Sequence, residues 1–390
     1  MRIAIDLTAR LPQATGVDNY LRQLVLYLGR IDANNAYKVY VNYEDRHLFR
    51  GLLPDNFTVV PFCCRPRPIR LLFQQFALPI AARQWGADVV HSPSFIMPFY
   101  RGQARHVVTV HDMTFFSLPD CHVSLRRSSL YRGAVSESIR RADRVIVPSH
   151  ATQQHIAQLM PEIPSDRVCV IPHGIGDDFH PYPREEVRQA VRRLRLPAAY
   201  ILYVGTIEPR KNLPRLVESF RRLITTDNIP EHLVLVGQLG WDYKGLAAQI
   251  NTPELHGRVH MIGYVSQDDL PWFYAGARLF IYPSLAEGFG FPPLEAMACG
   301  IPTISSLSSS LAENLQGAAE LISPDDETAL ASAMSRLLRD DSLRAHYQTQ
   351  GLACAARFRW AEAARQTLDC YGTLAMARQG VRERVPRLPA

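Results

Sequence analysis

YILYVGTIEPRKNLPRLVESF, residues 200–220, opens as a run of β-branched and aromatic residues, turns through Gly205 and Pro209, and closes in a helical pattern from about 213. Strand, loop and helix in that order are the repeating unit of a parallel α/β sheet. The same alternation recurs on both sides of it. Upstream, RIAIDL (2–7), KVYVNY (38–43), FTVVPF (57–62), ADVVHSP (87–93), HVVTVHD (106–112), DRVIVPS (143–149) and RVCVIPHG (167–174) read as strands, with helices near 19–30, 71–85, 125–141 and 150–160. Downstream, HLVLVGQ (232–238), VHMIGYV (259–265), ARLFIYPS (277–284), IPTISS (301–306) and AELIS (319–323) continue the series, with helices near 213–225, 243–250, 268–275 and 293–299. Between the two series lies IPHGIGDDFHPYP (171–183), rich in turn formers. The pattern predicts an α/β protein of two Rossmann-like domains, 1–175 and 184–360. A helix over 361–378 is expected to pack back toward the N-terminal domain, and the polar tail RQGVRERVPRLPA (378–390) to fray.

Composition agrees with two domains, since 390 residues exceed one ordinary core. The most lipid-like segment, LLFQQFALPIAA (71–82), is broken by Gln74, Gln75 and Pro79 and is too short to span a bilayer. MRIAIDL reads as a strand, not as a signal peptide. Seven scattered cysteines without a CxxC pair argue against a zinc site or a disulfide framework and for a reducing compartment. The net charge of +6 is lopsided: residues 1–183 hold 20 Lys/Arg against 15 Asp/Glu, and residues 184–390 hold 23 against 22. The excess sits in RPRPIR (65–70), LRR (125–127) and IRRADR (139–144). It reads equally as a solvated face or as a surface for anionic lipid or a phosphorylated ligand. No zinc-finger spacing or aromatic-interleaved basic motif points to nucleic acid.

Ligands of open parallel sheets collect beyond the carboxyl ends of the strands, so the loops leaving strands carry the chemistry. In GTIEPRKNL (205–213), Asn212 is placed to cap the following helix, with Arg210 and Lys211 just before it. Lys211 is one of only three lysines among 43 basic residues, in a chain that otherwise uses arginine. Adjacent cations at a positive helix end repel each other, and such a pair is expected where a polyanion such as a diphosphate neutralises them. In EGFGFPPLE (287–295), Pro293 opens a helix and Glu295 is expected in its first turn, where the helix dipole keeps it ionised to accept two hydrogen bonds from a diol. Gly288 and Gly290 allow close backbone approach, and Glu287 is placed for sugar hydroxyls or for positive charge at an anomeric carbon. A surface carboxylate explains either glutamate alone, but not the nine residues together. In VTVHDMTFF (108–116), His111 ends a strand of the first domain, where a core histidine and a functional one are equally good readings. TGVDNY (15–20) reads as a turn with Gly16 near a helix start. It is not GxGxxG, which weakens a nicotinamide-binding reading.

EGFGFPPLE resembles the E-x7-E signature of retaining glycosyltransferases of the GT-B fold, glycosyltransferase family 4, and GTIEPRKN resembles that family's diphosphate-binding loop. The resemblance covers nearly the whole chain. Gly16 matches the N-terminal glycine loop, VHDMTFF (110–116) a first-domain motif, and IPHGI (171–175) the hinge, where the family usually has asparagine in place of His173. HDMTFFSLPD (111–120) is similar to mannosyl- and rhamnosyltransferases of bacterial surface-polysaccharide assembly. The resemblance implies two domains facing a central cleft. It gives Arg210 and Lys211 the donor diphosphate and the leaving group, and Glu295 the ribose. It gives Glu287 with the backbone of Gly288, Phe289 and Gly290 the donor sugar, and His111 a contact near the reacting carbon. Gly16 allows closure on the diphosphate, and the base lies near Tyr264 and Val265.

The expected reaction moves a hexose, mannose or rhamnose, from a nucleotide diphosphate sugar to a saccharide or polyprenyl-diphosphate-linked acceptor in O-antigen or exopolysaccharide synthesis. GDP-sugars are favoured and UDP-sugars stand close behind. No cofactor or metal is expected, because the two cations carry the charge and no Asp-x-Asp follows a strand. The donor phosphate is expected to take the acceptor proton, with His111 as the second choice. The setting is the cytoplasm, with peripheral contact to an anionic inner membrane face through segments 71–85 and 125–141. A nucleotide-sugar epimerase and a non-catalytic sugar-nucleotide binder are the competing readings. Lys211→Ala and Glu287→Ala are expected to nearly abolish transfer with the fold intact.

Overall fold

The computed structural model describes residues 1–11, 16–121, 125–240 and 244–383. Every strand expected from the sequence is present. The first sheet holds β1 (Arg2–Asp6), β2 (Ala36–Asn42), β3 (Phe57–Phe62), β4 (Val89–Ser92), β5 (Arg105–Thr109), β6 (Arg144–Val147) and β7 (Val168–Val170). The second holds β8 (Tyr200–Val204), β9 (His232–Val236), β10 (Val259–Gly263), β11 (Leu279–Tyr282), β12 (Thr303–Ser306) and β13 (Glu320–Ile322). Their orders are β3-β2-β1-β4-β5-β6-β7 and β10-β9-β8-β11-β12-β13, with parallel pairing throughout. Each order reverses once, between β1 and β4 and between β8 and β11, and such reversals open the crevice that doubly wound sheets use for ligands.

The central strands are apolar without alternation because helices cover both faces. β8 and β11 are buried along their whole length, and the helix Leu213–Asp227 lays Leu216, Val217, Phe220 and Leu223 on the second sheet. Burying each such side chain stabilises the fold by about 1.5–3 kcal/mol.

The chain divides into two compact units: Met1–Met113, Ser124–Gly174 and Trp360–Ala390 form one, and Thr114–Val123 with Ile175–Arg359 form the other. Within the first unit the helix Trp360–Glu383 packs along the helix Gly16–Ile31, and its Tyr371 hydroxyl meets His91 Nδ1 at 2.6 Å. Part of the tail expected to fray, 384–390, lies outside the described residues, as does Thr15 of the expected turn. The rest of that turn is helical, because Gly16 begins the helix Gly16–Ile31. No described helix is long and apolar enough to cross a membrane.

Among the described residues, five α-helices were not expected: Thr114–Ser117, Arg184–Arg193, Ser309–Asn314, Glu327–Arg339 and Asp341–Ala355. REEVRQAVRR buries only Ala190, so it carries almost no apolar stripe to read. The helices from Glu327 and Asp341 follow aspartate caps: Asp326 accepts from Ala329 N at 2.8 Å and Asp340 from Leu343 N at 2.9 Å.

Three neighbouring strand ends of the second sheet finish in glycines with positive φ: Gly205 at +153°, Gly237 at +146° and Gly263 at +82°. A Cβ on Gly237 would lie 2.0 Å from Gly205 O, so the two strand ends approach closely only without side chains. Gly237→Ala is expected to lower stability by roughly 1–3 kcal/mol, read as a fall of several degrees in melting temperature. An unchanged melting temperature would contradict this account of the rim.

Candidate functional site

Because β8 and β11 are neighbours across the second sheet's switch point, the two loops singled out by sequence leave adjacent strands. Leu285 N donates to Arg210 O at 2.9 Å, and Ser284 Oγ to the same carbonyl at 3.2 Å, tying the loops together. Pro209–Lys211 make one 3-10 turn, and Asn212 at φ +57° redirects the chain into the helix Leu213–Asp227. Asn212 does not cap that helix as expected. Its amide donates instead to Pro283 O at 3.2 Å and Pro324 O at 2.8 Å, while its left-handed backbone, which asparagine tolerates, makes the turn.

The two cations already have an anion of their own. Glu287 Oε2 accepts from Arg210 Nη1 at 2.7 Å, and Oε1 accepts from Lys211 Nζ at 2.6 Å, Ser284 Oγ at 2.5 Å and Tyr282 OH at 3.0 Å. Arg210 also donates to Glu208 Oε1 at 2.9 Å and Ala286 O at 2.8 Å, and Lys211 Nζ to Tyr282 OH at 2.8 Å. Only 8% of the Lys211 side chain and 10% of that of Glu287 is exposed. Burial pushes the Glu287 carboxyl up, but Arg210 and Lys211 outweigh it and hold the group at about 2. Burial lowers the Lys211 ammonium, Arg210 adds to that, and Glu287 and Glu208 oppose it. Removing Glu287 alone takes the carboxylate from Lys211 and leaves Arg210 with Glu208, a cost of up to about 3–5 kcal/mol. Glu287→Ala is therefore expected to lower stability as well as transfer.

Beyond Glu287 the loop is held by its backbone. Glu287 N donates to Ser309 Oγ at 2.9 Å, Ser310 Oγ to Glu287 O at 2.8 Å, and Asn314 Nδ2 to Phe289 O at 2.7 Å. Gly288 lies between, and Phe289 is buried. Gly290, at φ +94°, precedes the helix Phe291–Ala298, and a Cβ there would meet Leu311 Cδ2 at 2.5 Å. The helix starts at Phe291, so Glu295 lies past its first turn, not within it. Burial raises its carboxyl to about 7, against the lowering effect of the Tyr274 hydroxyl that donates to Oε2 at 2.8 Å. The expected dipole-held carboxylate is thus replaced by a buried group poised near neutrality, because depth outweighs the helix end.

Val265 follows β10, half-buried against the second unit's core, with Tyr264 exposed beside it. β10 stands two strands from β8, about 10 Å along the glycine rim.

His111 and Gly16 belong to the first unit. Gly16 is exposed at the start of its helix. His111 is buried: its Nε2 donates to Pro93 O at 2.9 Å, which leaves Nδ1 to accept from His173 Nε2 at 3.3 Å. Burial lowers its pKa to about 4, so the ring is neutral at pH 7. His173 shows no positive φ. Its ring stands 4.4 Å from Tyr20 and 6.0 Å from Trp360.

Sequence reasoning missed Tyr282, Ser284, Tyr274 and Glu208, the groups that hold Glu287, Glu295 and Arg210. Tyr282 and Ser284 lie in ARLFIYPS, whose apolar character made them read as core. Glu208 stood unassigned inside GTIEPRKN.

Residues 14–179 match the family model described as Glycosyltransferase Family 4, and residues 185–352 the model described as Glycosyl transferases group 1. The O-antigen chain mannosyltransferase B of Escherichia coli is 32% identical over 295 residues, covering 75% of this chain and 76% of that protein. The serotype-specific mannosyltransferase WbdA of Escherichia coli is 28% identical over 363 residues, covering 88% of this chain but 43% of its own length, so the chain spans less than half of that relative. The crystal structure of Anabaena HepE in complex with UDP-glucose superposes with a TM-score of 0.76 at 19% identity, covering 96% of this chain and 100% of that one, a likeness of fold.

Two buried carboxyls displaced in opposite directions give the site a pH signature. Glu295 is raised from an ordinary 4.5, so its share of stability is whole below about pH 4.5 and is lost as pH rises through 7, on the order of 3 kcal/mol. Glu287 is depressed, and its share is whole above 4.5 and is lost as pH falls toward 2. In urea unfolding, the wild type is expected to lose stability relative to Glu295→Gln between pH 5 and pH 8. A difference that does not change with pH would overturn the reading of Glu295.

Proposed function

The chain belongs to glycosyltransferase family 4, and on that premise we propose that it transfers a hexose, mannose before rhamnose, from a nucleotide diphosphate sugar to a saccharide or lipid-linked saccharide acceptor. The observation that carries the proposal is the Arg210–Glu287–Lys211 cluster at the switch point of a doubly wound sheet. The named relatives favour surface-polysaccharide mannosyl transfer over epimerisation or mere binding, and for the donor nucleotide we take GDP, with UDP close behind. Seven scattered cysteines without a CxxC pair support a reducing, cytoplasmic setting.

The chemistry asks for stabilisation of a departing diphosphate. As the bond between the anomeric carbon and the diphosphate oxygen breaks, negative charge grows on that oxygen. The acceptor oxygen then bonds the carbon from the same face, and the donor phosphate takes the acceptor proton, so the anomeric configuration is kept. Arg210 and Lys211 are fixed beforehand by Glu287, Glu208 and Tyr282, so they need no reorganisation when that charge appears. On donor arrival the cations exchange part of their hold on Glu287 for phosphate oxygens. The freed carboxylate then accepts from sugar hydroxyls, as the resemblance assigns it, without a metal being called on. Gly288, Phe289 and Gly290 offer backbone to the sugar, Glu295 accepts from the ribose, and the base lies along the glycine rim toward Val265. Gly16 and His111 belong to the first unit. The neutral His111, engaged at both nitrogens, positions rather than takes protons.

Lys211→Ala is expected to lower transfer from labelled GDP-mannose by about 10²–10³-fold. A thermal-shift panel of GDP, UDP, dTDP and ADP is expected to raise the wild-type melting temperature most with GDP. Full transfer by Lys211→Ala, or no shift with any of the four, would retire the proposal.

A further inference from the structure

Cys169 and Cys370 stand far apart in the chain and meet inside the first unit, with their sulfurs 4.0 Å apart. Cys169 lies on β7, the outer strand of the first sheet, where it pairs with Ile146 of β6 and stays half-buried. Cys370 lies on the helix Trp360–Glu383, which packs over β4 and β5. With Thr367, Tyr371 and Leu374 it makes that helix's buried face, at spacings of three and four. Other thiols are spent on oxygen acceptors: Cys64 Sγ donates to Asn42 Oδ1 at 3.4 Å and Cys354 Sγ to Asn314 O at 3.2 Å.

The two thiols are not equivalent. Cys370 donates its S–H to Cys169 Sγ, and that bond pulls the Cys169 thiol down to about 7 against the effect of burial, with Arg144 adding to the lowering and Asp166 opposing it. The same bond, together with burial, pushes the Cys370 thiol up, so it keeps its proton. A half-buried cysteine rich in thiolate beside a buried, protonated one is the arrangement of an attacking thiol with its resolving partner.

A bond between them has a mechanical consequence. The chain leaves the first unit after Gly174, just past β7, and returns at Trp360, the first residue of the last helix. Cys169 and Cys370 are 201 positions apart, so the bond closes a loop that takes in the whole stretch Ile175–Arg359 of the second unit. Closing so long a loop removes chain entropy from the unfolded state, and the last helix then opens less readily. In a reducing compartment such a bond is transient, formed when an oxidant rises and broken by thiol exchange.

We propose that Cys169 and Cys370 are a modification site for peroxide, forming a reversible disulfide that fastens the last helix to the outer strand of the first sheet. The Cys169 thiolate attacks one peroxide oxygen. The O–O bond breaks, the departing hydroxide takes a proton to become water, and Cys169 is left as a sulfenic acid, oxidised by two electrons. The Cys370 sulfur then attacks the Cys169 sulfur: the S–S bond forms, the S–O bond breaks, and hydroxide leaves with the Cys370 proton as water. Two thiols and one peroxide thus give one disulfide and two waters. The sulfurs close from 4.0 Å to about 2.0 Å by rotation of the two side chains. The site stands on the first unit alone and does not depend on the transfer reaction.

Treating the reduced full chain with stoichiometric hydrogen peroxide, then mapping alkylated and disulfide-linked peptides by mass spectrometry, tests it. The expected result is a Cys169–Cys370 link within one chain, with both thiols restored by dithiothreitol. Amide exchange across Trp360–Glu383 is expected to slow several-fold in the linked form. Cys370→Ser is expected to stop at a sulfenic acid on Cys169, trapped by dimedone, and Cys169→Ser to give neither that acid nor the link. Three results would overturn the proposal: both thiols still open to alkylation after peroxide, a link that joins other cysteines or two chains instead, or a linked form whose last helix exchanges as fast as the reduced one. The wild-type mapping decides even where a variant fails to fold. A failed nucleotide shift would leave each of these results standing.

Discussion

Everything at the second unit's switch point depends on one carboxylate held between two cations. Glu287 reaches Arg210 and Lys211 from the other loop, 77 and 76 residues away along the chain, and the three charges share a nearly dry space. In such a place each charge is tolerable only because of the others. The arrangement fixes the spacing of the two loops, keeps Glu287 ionised, and leaves two cations oriented before any ligand arrives. Tyr282 and Ser284 complete it by donating to the same carboxylate oxygen, which ties the cluster to the end of β11. A site built this way has its electrostatic organisation prepaid at folding, which is what stabilising a departing anion requires.

The first unit uses buried polar groups differently. Tyr371, His91, Thr109 and Tyr20 form a chain of hydrogen bonds at 2.6, 2.9 and 3.0 Å, linking the last helix, two strands and the helix Gly16–Ile31. Burial drives His91 down to about 3 and raises the Tyr20 hydroxyl well above its ordinary value, so the network is neutral at pH 7. Fully partnered, it fastens the C-terminal helix to a sheet that lies more than 250 residues earlier in the chain; the Tyr371–His91 bond alone spans 280 positions. That network carries no charge, whereas the second unit's site is built from three.

How much of this could be read from residues alone follows from what each feature depends on. The thirteen strands were legible because helices cover both sheet faces, which forces unbroken apolar runs such as YILYV and LFIY. The position of Arg210, Lys211 and Glu287 on strand-end loops was legible for the same reason. Their mutual pairing was not, because it depends on β8 and β11 being neighbours, and strand order is not written in any local pattern. Glu295 was legible as a site residue, but its protonation was not: depth against Tyr274 decides it, and depth is a property of packing. Arg184–Arg193 stayed hidden because its sequence shows no apolar face, and Asn212 misled because asparagine serves as well in a left-handed turn as at a cap.

The central claim is that Arg210 and Lys211 exchange an internal carboxylate for a diphosphate. A crystal structure of the full chain with GDP bound tests it most directly. The account predicts phosphate oxygens within hydrogen-bond reach of the Arg210 guanidinium and the Lys211 ammonium, ribose hydroxyls on Glu295, and Glu287 loosened from at least one cation. GDP bound elsewhere, with both cations still holding only Glu287, would contradict it.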